Sequence, residues 1–279
     1  MQLISFSVAG SNVPRPGVLL QQNGTVIDLA ATYDDTLAVI AAGISAIDNL
    51  DAHPSHKLDE IRLLAPLSNP PRIFAIGLNY RDHAAETKMA LPSAPVVFFK
   101  LPTAIIGEQD AIVLPKNSRE PDYEAELAFV IGKGGYRIPA AAWHEHVYGY
   151  TIINDVSARD VQRATSQWSL AKSFPTYCPM GPAIVTNDEI ADPHQLAISL
   201  NINGETLQNS NTRELIFKIP DLIEYISSIT PLLPGDIVST GTPSGVGMGR
   251  TPQRWLQPGE TVTVTIEGLG SLTNPVVAE

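Results

Sequence analysis

Asp122-Tyr123-Glu124-Ala125-Glu126-Leu127 runs directly into the apolar segment Leu127-Ala-Phe-Val-Ile131. A short β-branched and aromatic run of this kind predicts a strand, in which residues i and i+2 face the same side. Glu124 and Glu126 then stand together at the start of a buried segment. Adjacent carboxylates repel each other and resist desolvation unless something cationic holds them. A divalent metal is one solution; a solvated sheet face is the plain alternative. Thirty residues on, Val147-Tyr-Gly-Tyr-Thr-Ile-Ile153 predicts a second buried strand that ends at Asn154-Asp155. Asp155 is placed either to project into a site or to cap a following helix over 156–162.

The chain has 279 residues, 44% hydrophobic and 17% charged, enough for one large or two unequal globular domains. No apolar run approaches a membrane span. The N-terminus lacks a basic stretch and a cleavage site, so a cytoplasmic protein is expected. Cys178 is the single cysteine, which excludes an intrachain disulfide and an all-cysteine metal site. A net charge of −11 without basic clusters argues against nucleic-acid binding.

Residues 1–65 read as a small α+β module, 66–72 as a proline-rich linker, and 73–279 as the main domain. In the module, Gly17–Leu20 and Thr25–Asp28 predict strands around an Asn23-Gly24 turn. Asn23-Gly-Thr25 matches a glycosylation sequon, without meaning in the absence of a secretory route. One or two short helices are expected over 33–50. In the main domain, strands are predicted near 73–80, 95–100, 111–114, 196–202, 205–208, 234–240 and 261–266. A helix is predicted over 221–229, with Leu222, Ile223, Ile226 and Ile229 on one side. The segment Ala171–Pro182 is too rich in proline for a helix or a central strand. His83 and Glu86 are neighbours on a predicted helix from Arg81, able to hydrogen-bond or simply to face water. His144 and His146 are expected at the surface. Gly241–Gly249 is glycine-rich, but lacks both a phosphate-loop lysine and a following helix, so a nucleotide site is rejected.

Six stretches then stand in order: Gly77-Leu-Asn-Tyr-Arg-Asp-His83 with Glu86, Asp122–Leu127, Asn154–Gln162, Lys172-Ser-Phe174, Pro179-Met-Gly-Pro182 and Thr240–Gly247. Together they resemble the fumarylacetoacetate hydrolase family, in its acylpyruvate hydrolase-like branch. The resemblance implies a mixed α/β, mostly β fold, with a β-roll C-terminal domain behind a small N-terminal α+β module, paired as a homodimer. It implies a divalent cation held by Glu124, Glu126 and Asp155, with Lys172 on the substrate. It places Arg159, Gln162 and Thr242 around the substrate, and His83 with Glu86 as a dyad on a lid. Close relatives commonly read Lys-Ser-Phe-Asp-Thr-Phe where this chain has Pro175 and Tyr177, which puts the shape of the pocket in question. Three hard oxygen ligands suit Mg²⁺ or Mn²⁺, with Ca²⁺ also compatible. The implied reaction is hydrolytic C–C cleavage of a small acylpyruvate-type 1,3-diketo acid. Alternatives on the same site are oxaloacetate decarboxylation, dienoate isomerisation or hydration, ureidoglycolate-type lyase chemistry, and an inactive metal-binding member.

Overall fold

The computed structural model describes residues 1–22, 24–47 and 49–279. Ala125–Ile131 and Val147–Asn154 are buried along their whole length, as their unbroken apolar character requires of strands covered on both faces. They pair antiparallel, with Ala125 opposite Asn154 and Glu126 opposite Ile153. Ile237–Ser239 flanks Ala125–Ile131 antiparallel, and Ile73–Gly77 runs parallel to Ile237–Ser239. The start of one strand is therefore brought beside the ends of three others. That end of the sheet carries Glu124, Glu126, Asp155, Ser239 and the approach to His83.

Among the described residues these strands belong to a twelve-stranded mixed sheet. A five-stranded sheet faces it, and its strands Ala197–Ile202 and Thr261–Ile266 alternate buried residues with exposed or half-buried ones. Their inward side chains, including Leu200 and Val264, share one core with Leu127, Phe129 and Ile152. The fold is mixed α/β and mostly β, as expected.

The N-terminal residues join the large sheet. Gln2–Val8, which sequence patterning did not single out, pairs with Arg15–Leu20, Ile61–Leu64 and Cys178–Thr186. Leu3, Val18 and Ile40 share a core with Ala128, Ile153 and Met180. In the proline-rich segment Leu67 is buried. The strands flanking the expected Asn23-Gly24 turn pair as foreseen, Leu20 opposite Thr25; Asn23 itself, and with it the sequon, lies outside the described residues. Thr36–Ala42 forms the expected helix, capped by the Asp35 carboxylate on Ala38 N.

Three expectations need correction. Cys178–Thr186 is a nine-residue strand inside the large sheet, not an irregular loop. Pro182 is tolerated because it falls where the register against Val147–Asn154 shifts and no ladder hydrogen bond is required. His146 is buried, and its Nδ1 lies 2.6 Å from Lys133 O. Ile229 is 68% exposed, because the last turn of Ile219–Ile229 overhangs the core that covers Leu222, Ile223 and Ile226.

Candidate active site

Glu124, Glu126 and Asp155 each present a carboxylate oxygen within 4.8 Å of the others, all three being buried. Backbone geometry holds them there. Asp155 N donates to Glu124 O at 2.9 Å, and Asn154 Oδ1 accepts from Glu124 N at 3.0 Å, so the two strand ends are stitched across the gap.

Lys172 Nζ donates to Glu124 Oε2 at 2.5 Å and to Asp155 Oδ2 at 2.7 Å, and it lies 5.0 Å over the Phe98 ring. Arg159 directs Nη2 to Glu124 Oε1, Nε to Asp122 Oδ2 at 2.8 Å and Nη1 to Gln162 Oε1 at 2.9 Å. Glu126 Oε2 accepts from Ser239 Oγ at 2.5 Å and from Gly241 N at 3.1 Å. Burial works against charge on both glutamates, but with opposite outcomes. For Glu124 the Arg159 and Lys172 cations overcome it and hold the carboxyl well below the usual range. For Glu126, burial joined by the charges of Asp155 and Glu124 pushes the carboxyl well above it. Glu126 is thus the less readily charged of the two glutamates.

A cavity of about 330 Å³ opens over these groups. Of the residues expected to act, His83, Glu124, Glu126, Arg159, Gln162, Lys172 and Thr242 line it. Asp155 is wholly buried beneath, and Glu86 lines a neighbouring opening. His83 Nδ1 lies 3.3 Å from Glu86 Oε2, while Glu86 Oε1 accepts from Gly245 N at 2.9 Å. The helix Arg81–Glu86 is further fastened by Asp82 Oδ2, which accepts from Ser210 Oγ at 2.6 Å. Thr242 Oγ1 accepts from Gln208 Nε2 at 2.8 Å, and Gln208 Oε1 accepts from Ala125 N at 2.9 Å. Apolar walls come from Ile76, Phe98, Trp168 and Met248. Pro175 is exposed and does not line the cavity, whereas Tyr177 is buried against Phe174. The departure at these two positions therefore lies behind the site. Burial pushes the Cys178 thiol up to about 12, which leaves it a packing residue.

Sequence reasoning assigned no role to Lys100 and Asp122. Lys100 is fully buried, and its Nζ donates to Asp155 Oδ1 at 2.6 Å and to Lys172 O. Asp122 Oδ1 accepts from Gly247 N at 2.7 Å and Oδ2 from Met248 N at 3.1 Å, tying the glycine-rich loop to Arg159. The signal for Asp122 was present, since it begins the quoted stretch. For Lys100 there was only an ordinary lysine at the end of a strand.

The donor set suits a hard divalent cation. It consists of carboxylate oxygens without sulfur or imidazole, gathered in a buried site. Four buried carboxylates (Asp122, Glu124, Glu126, Asp155) face three buried cations (Lys100, Arg159, Lys172), so one formal negative charge remains uncompensated.

Residues 72–277 match the family model described as fumarylacetoacetate (FAA) hydrolase C-terminal. The chain is 45% identical over 290 residues to a Xenopus laevis protein named oxaloacetate tautomerase fahd2, mitochondrial, covering 99% of this chain and 90% of that one. The mitochondrial placement in that name differs from the cytoplasmic expectation drawn for this chain. Among solved structures, fumarylacetoacetate hydrolase from Exiguobacterium antarcticum is 37% identical with a TM-score of 0.89, each chain covered in full. A maleylpyruvate hydrolase from a Sphingobium species, solved with manganese(II) and pyruvate, is 29% identical with a TM-score of 0.84, over 100% of this chain and 99% of that one.

Proposed function

The chain belongs to the fumarylacetoacetate hydrolase family, and we propose that it is a divalent-metal enzyme that interconverts the keto and enol forms of a small 2-oxo acid of the oxaloacetate type. The observation that carries this reading is the buried tripod of Glu124, Glu126 and Asp155 with the Lys172 ammonium at its open side. The 45% identity to a protein named as an oxaloacetate tautomerase supports the choice of substrate.

Glu124, Glu126 and Asp155 would hold the cation, which supplies Lewis acidity at the substrate carbonyl. Counted formally, a divalent ion takes the seven buried ionisable groups from one net negative to one net positive charge, suited to an anionic acid despite the chain's net charge of −11. Lys172 donates hydrogen bonds toward the oxygen on which negative charge develops. His83, held through Nδ1 by Glu86, moves the proton at the substrate carbon from its other ring nitrogen. Arg159 has three of its nitrogens engaged by protein acceptors, so it positions Glu124 and Gln162. Thr242, which lines the cavity, contacts the substrate carboxylate.

A second reading, C–C hydrolysis of an acylpyruvate, is favoured by the same His83–Glu86 pair, which is arranged to take a proton from water. One assay separates the two. Enol absorbance of fresh oxaloacetate is followed with Mg²⁺ or Mn²⁺ beside pyruvate release from acetylpyruvate, with and without chelator. Chelator-sensitive acceleration of tautomer exchange is expected. Pyruvate release with no effect on tautomer exchange would transfer the assignment to hydrolysis, and silence in both with metal bound would remove it. His83→Ala is expected to lower turnover by about 10²-fold or more while leaving metal affinity within about twofold.

A further inference from the structure

Each carboxylate of the tripod is fastened from outside by one of its two oxygens. Asp155 Oδ1 is held by Lys100 Nζ, Glu124 Oε1 by Arg159 Nη2, and Glu126 Oε2 by Ser239 Oγ and Gly241 N. The inward atoms are the complementary set. Glu124 Oε2 meets Lys172 and, at 3.4 Å, Ser157 Oγ; Asp155 Oδ2 meets Lys172; and Glu126 Oε1 is engaged by no donor among the described residues. The outer donors are rigidly based. Lys100 ends Val96–Lys100, its side chain is 0% exposed, and the same ammonium also takes the Lys172 carbonyl. Ser239 ends Ile237–Ser239 and is wholly buried.

We propose that this outer clamp confines Glu124, Glu126 and Asp155 to one oxygen each toward the cation, so that the site selects a small octahedral ion against Ca²⁺, and that Lys100 is the positioning residue that enforces this on Asp155. The inference rests on the metal reading above and concerns which ion the tripod accepts. Ca²⁺ gathers about six to eight oxygens at roughly 2.3–2.6 Å and commonly takes carboxylates by both oxygens, whereas Mg²⁺ requires about six at roughly 2.0–2.1 Å. An outer oxygen held by a donor fixed in the core resists the rotation that two-oxygen coordination needs, whereas Lys172, which lines the cavity, can yield the inner oxygens to a cation. Selectivity thus depends on whether the second oxygens are free to turn.

Charge and position make opposite predictions for Lys100. Removing a buried positive charge next to a cation site favours every divalent ion alike and leaves their ratio unchanged. Freeing Asp155 favours Ca²⁺ in particular. The test is calorimetric titration of the purified, substrate-free chain with MgCl₂, MnCl₂ and CaCl₂, for the wild type, Lys100→Met and Ser239→Ala. The wild type is expected to bind Mg²⁺ more tightly than Ca²⁺. Lys100→Met should lower the Ca²⁺-to-Mg²⁺ ratio of dissociation constants by about tenfold, and Ser239→Ala, which keeps the Gly241 donor, by about threefold. A ratio unchanged within about twofold in both variants would overturn the proposal and leave Lys100 a purely electrostatic or structural group. A wild type that prefers Ca²⁺ would overturn it as well. If Lys100→Met does not fold, Ser239→Ala alone decides by the same criterion. Failure of the wild type to bind any divalent ion would remove the metal reading together with the clamp. A clamp-dependent ratio without turnover of any 2-oxo acid would leave the clamp standing and remove the chemistry.

Discussion

Asp122 accepts from Tyr123 N at 2.9 Å and Gly247 N at 2.7 Å through one oxygen, and from Arg159 Nε at 2.8 Å and Met248 N at 3.1 Å through the other. All of these partners are donors, so an amide in its place turns an NH₂ toward N–H groups inside the core. Asp122→Asn should therefore cost about 3–5 kcal/mol, read as a lowered urea midpoint with the slope unchanged. At this scale much of the candidate site was legible. Carboxylates at the mouths of apolar strands are conspicuous, because burial penalises them unless something answers the charge. Lys100 was not legible, because a lysine closing a strand looks like a solvated terminus. Only the fold reveals that the strand end points at Asp155. Gly77 heads one of the six quoted stretches, but the reason for a glycine there is visible only in the fold. A Cβ there would come within 2.4 Å of Trp168 Cζ3, so the bare backbone is what allows the indole to wall the cavity. Gly77→Ala should move the indole and raise KM severalfold with a much smaller change in melting temperature, measured on the same preparation.

Among the elements, the helix Ile219–Ile229 carries a titratable device at its start. Ile219 N donates to His194 Nε2 at 3.2 Å, which requires that nitrogen to be unprotonated, and Nδ1 then offers its proton to Asp192 Oδ1 at 3.2 Å. Burial lowers the His194 pKa, with Asp192 opposing and Lys218 reinforcing, while Asp221 also pulls it upward. A histidine that binds its proton less readily when folded contributes stability above its unfolded value near 6.5 and loses it as pH falls below that. The urea midpoint of the wild type should therefore drop between pH 7 and pH 5.5 more than that of His194→Gln, which keeps an acceptor but does not titrate. Element types followed from sequence where periodicity was clean, as in Thr261–Ile266. Cys178–Thr186 escaped because prolines normally exclude a central strand, and a register shift two strands away in sequence cannot be read from the segment itself.

At the scale of the whole molecule, residues 1–65 are neighbours of the main sheet and not an appendage to it, since Gln2 lies opposite Val185 and Leu3 opposite Ile184. Removal of residues 1–65 would take the partner strand from Ile184 and Val185 and uncover Met180 and Ile184. The truncated chain should lose its near-ultraviolet dichroism, while keeping part of the far-ultraviolet signal, and should precipitate on warming. The pairing of Gln2–Val8 with Cys178–Thr186 also has a consequence in time. At roughly 5–20 residues per second, a ribosome reaches Val185 about 10–40 s after Gln2. During that interval the first strand can pair with Arg15–Leu20 and Ile61–Leu64, but the edge meant for Cys178–Thr186 stays open. The wait exposes a strand edge to other chains. Expression yield of this fold should accordingly depend on translation speed and chaperone supply more than its equilibrium stability suggests.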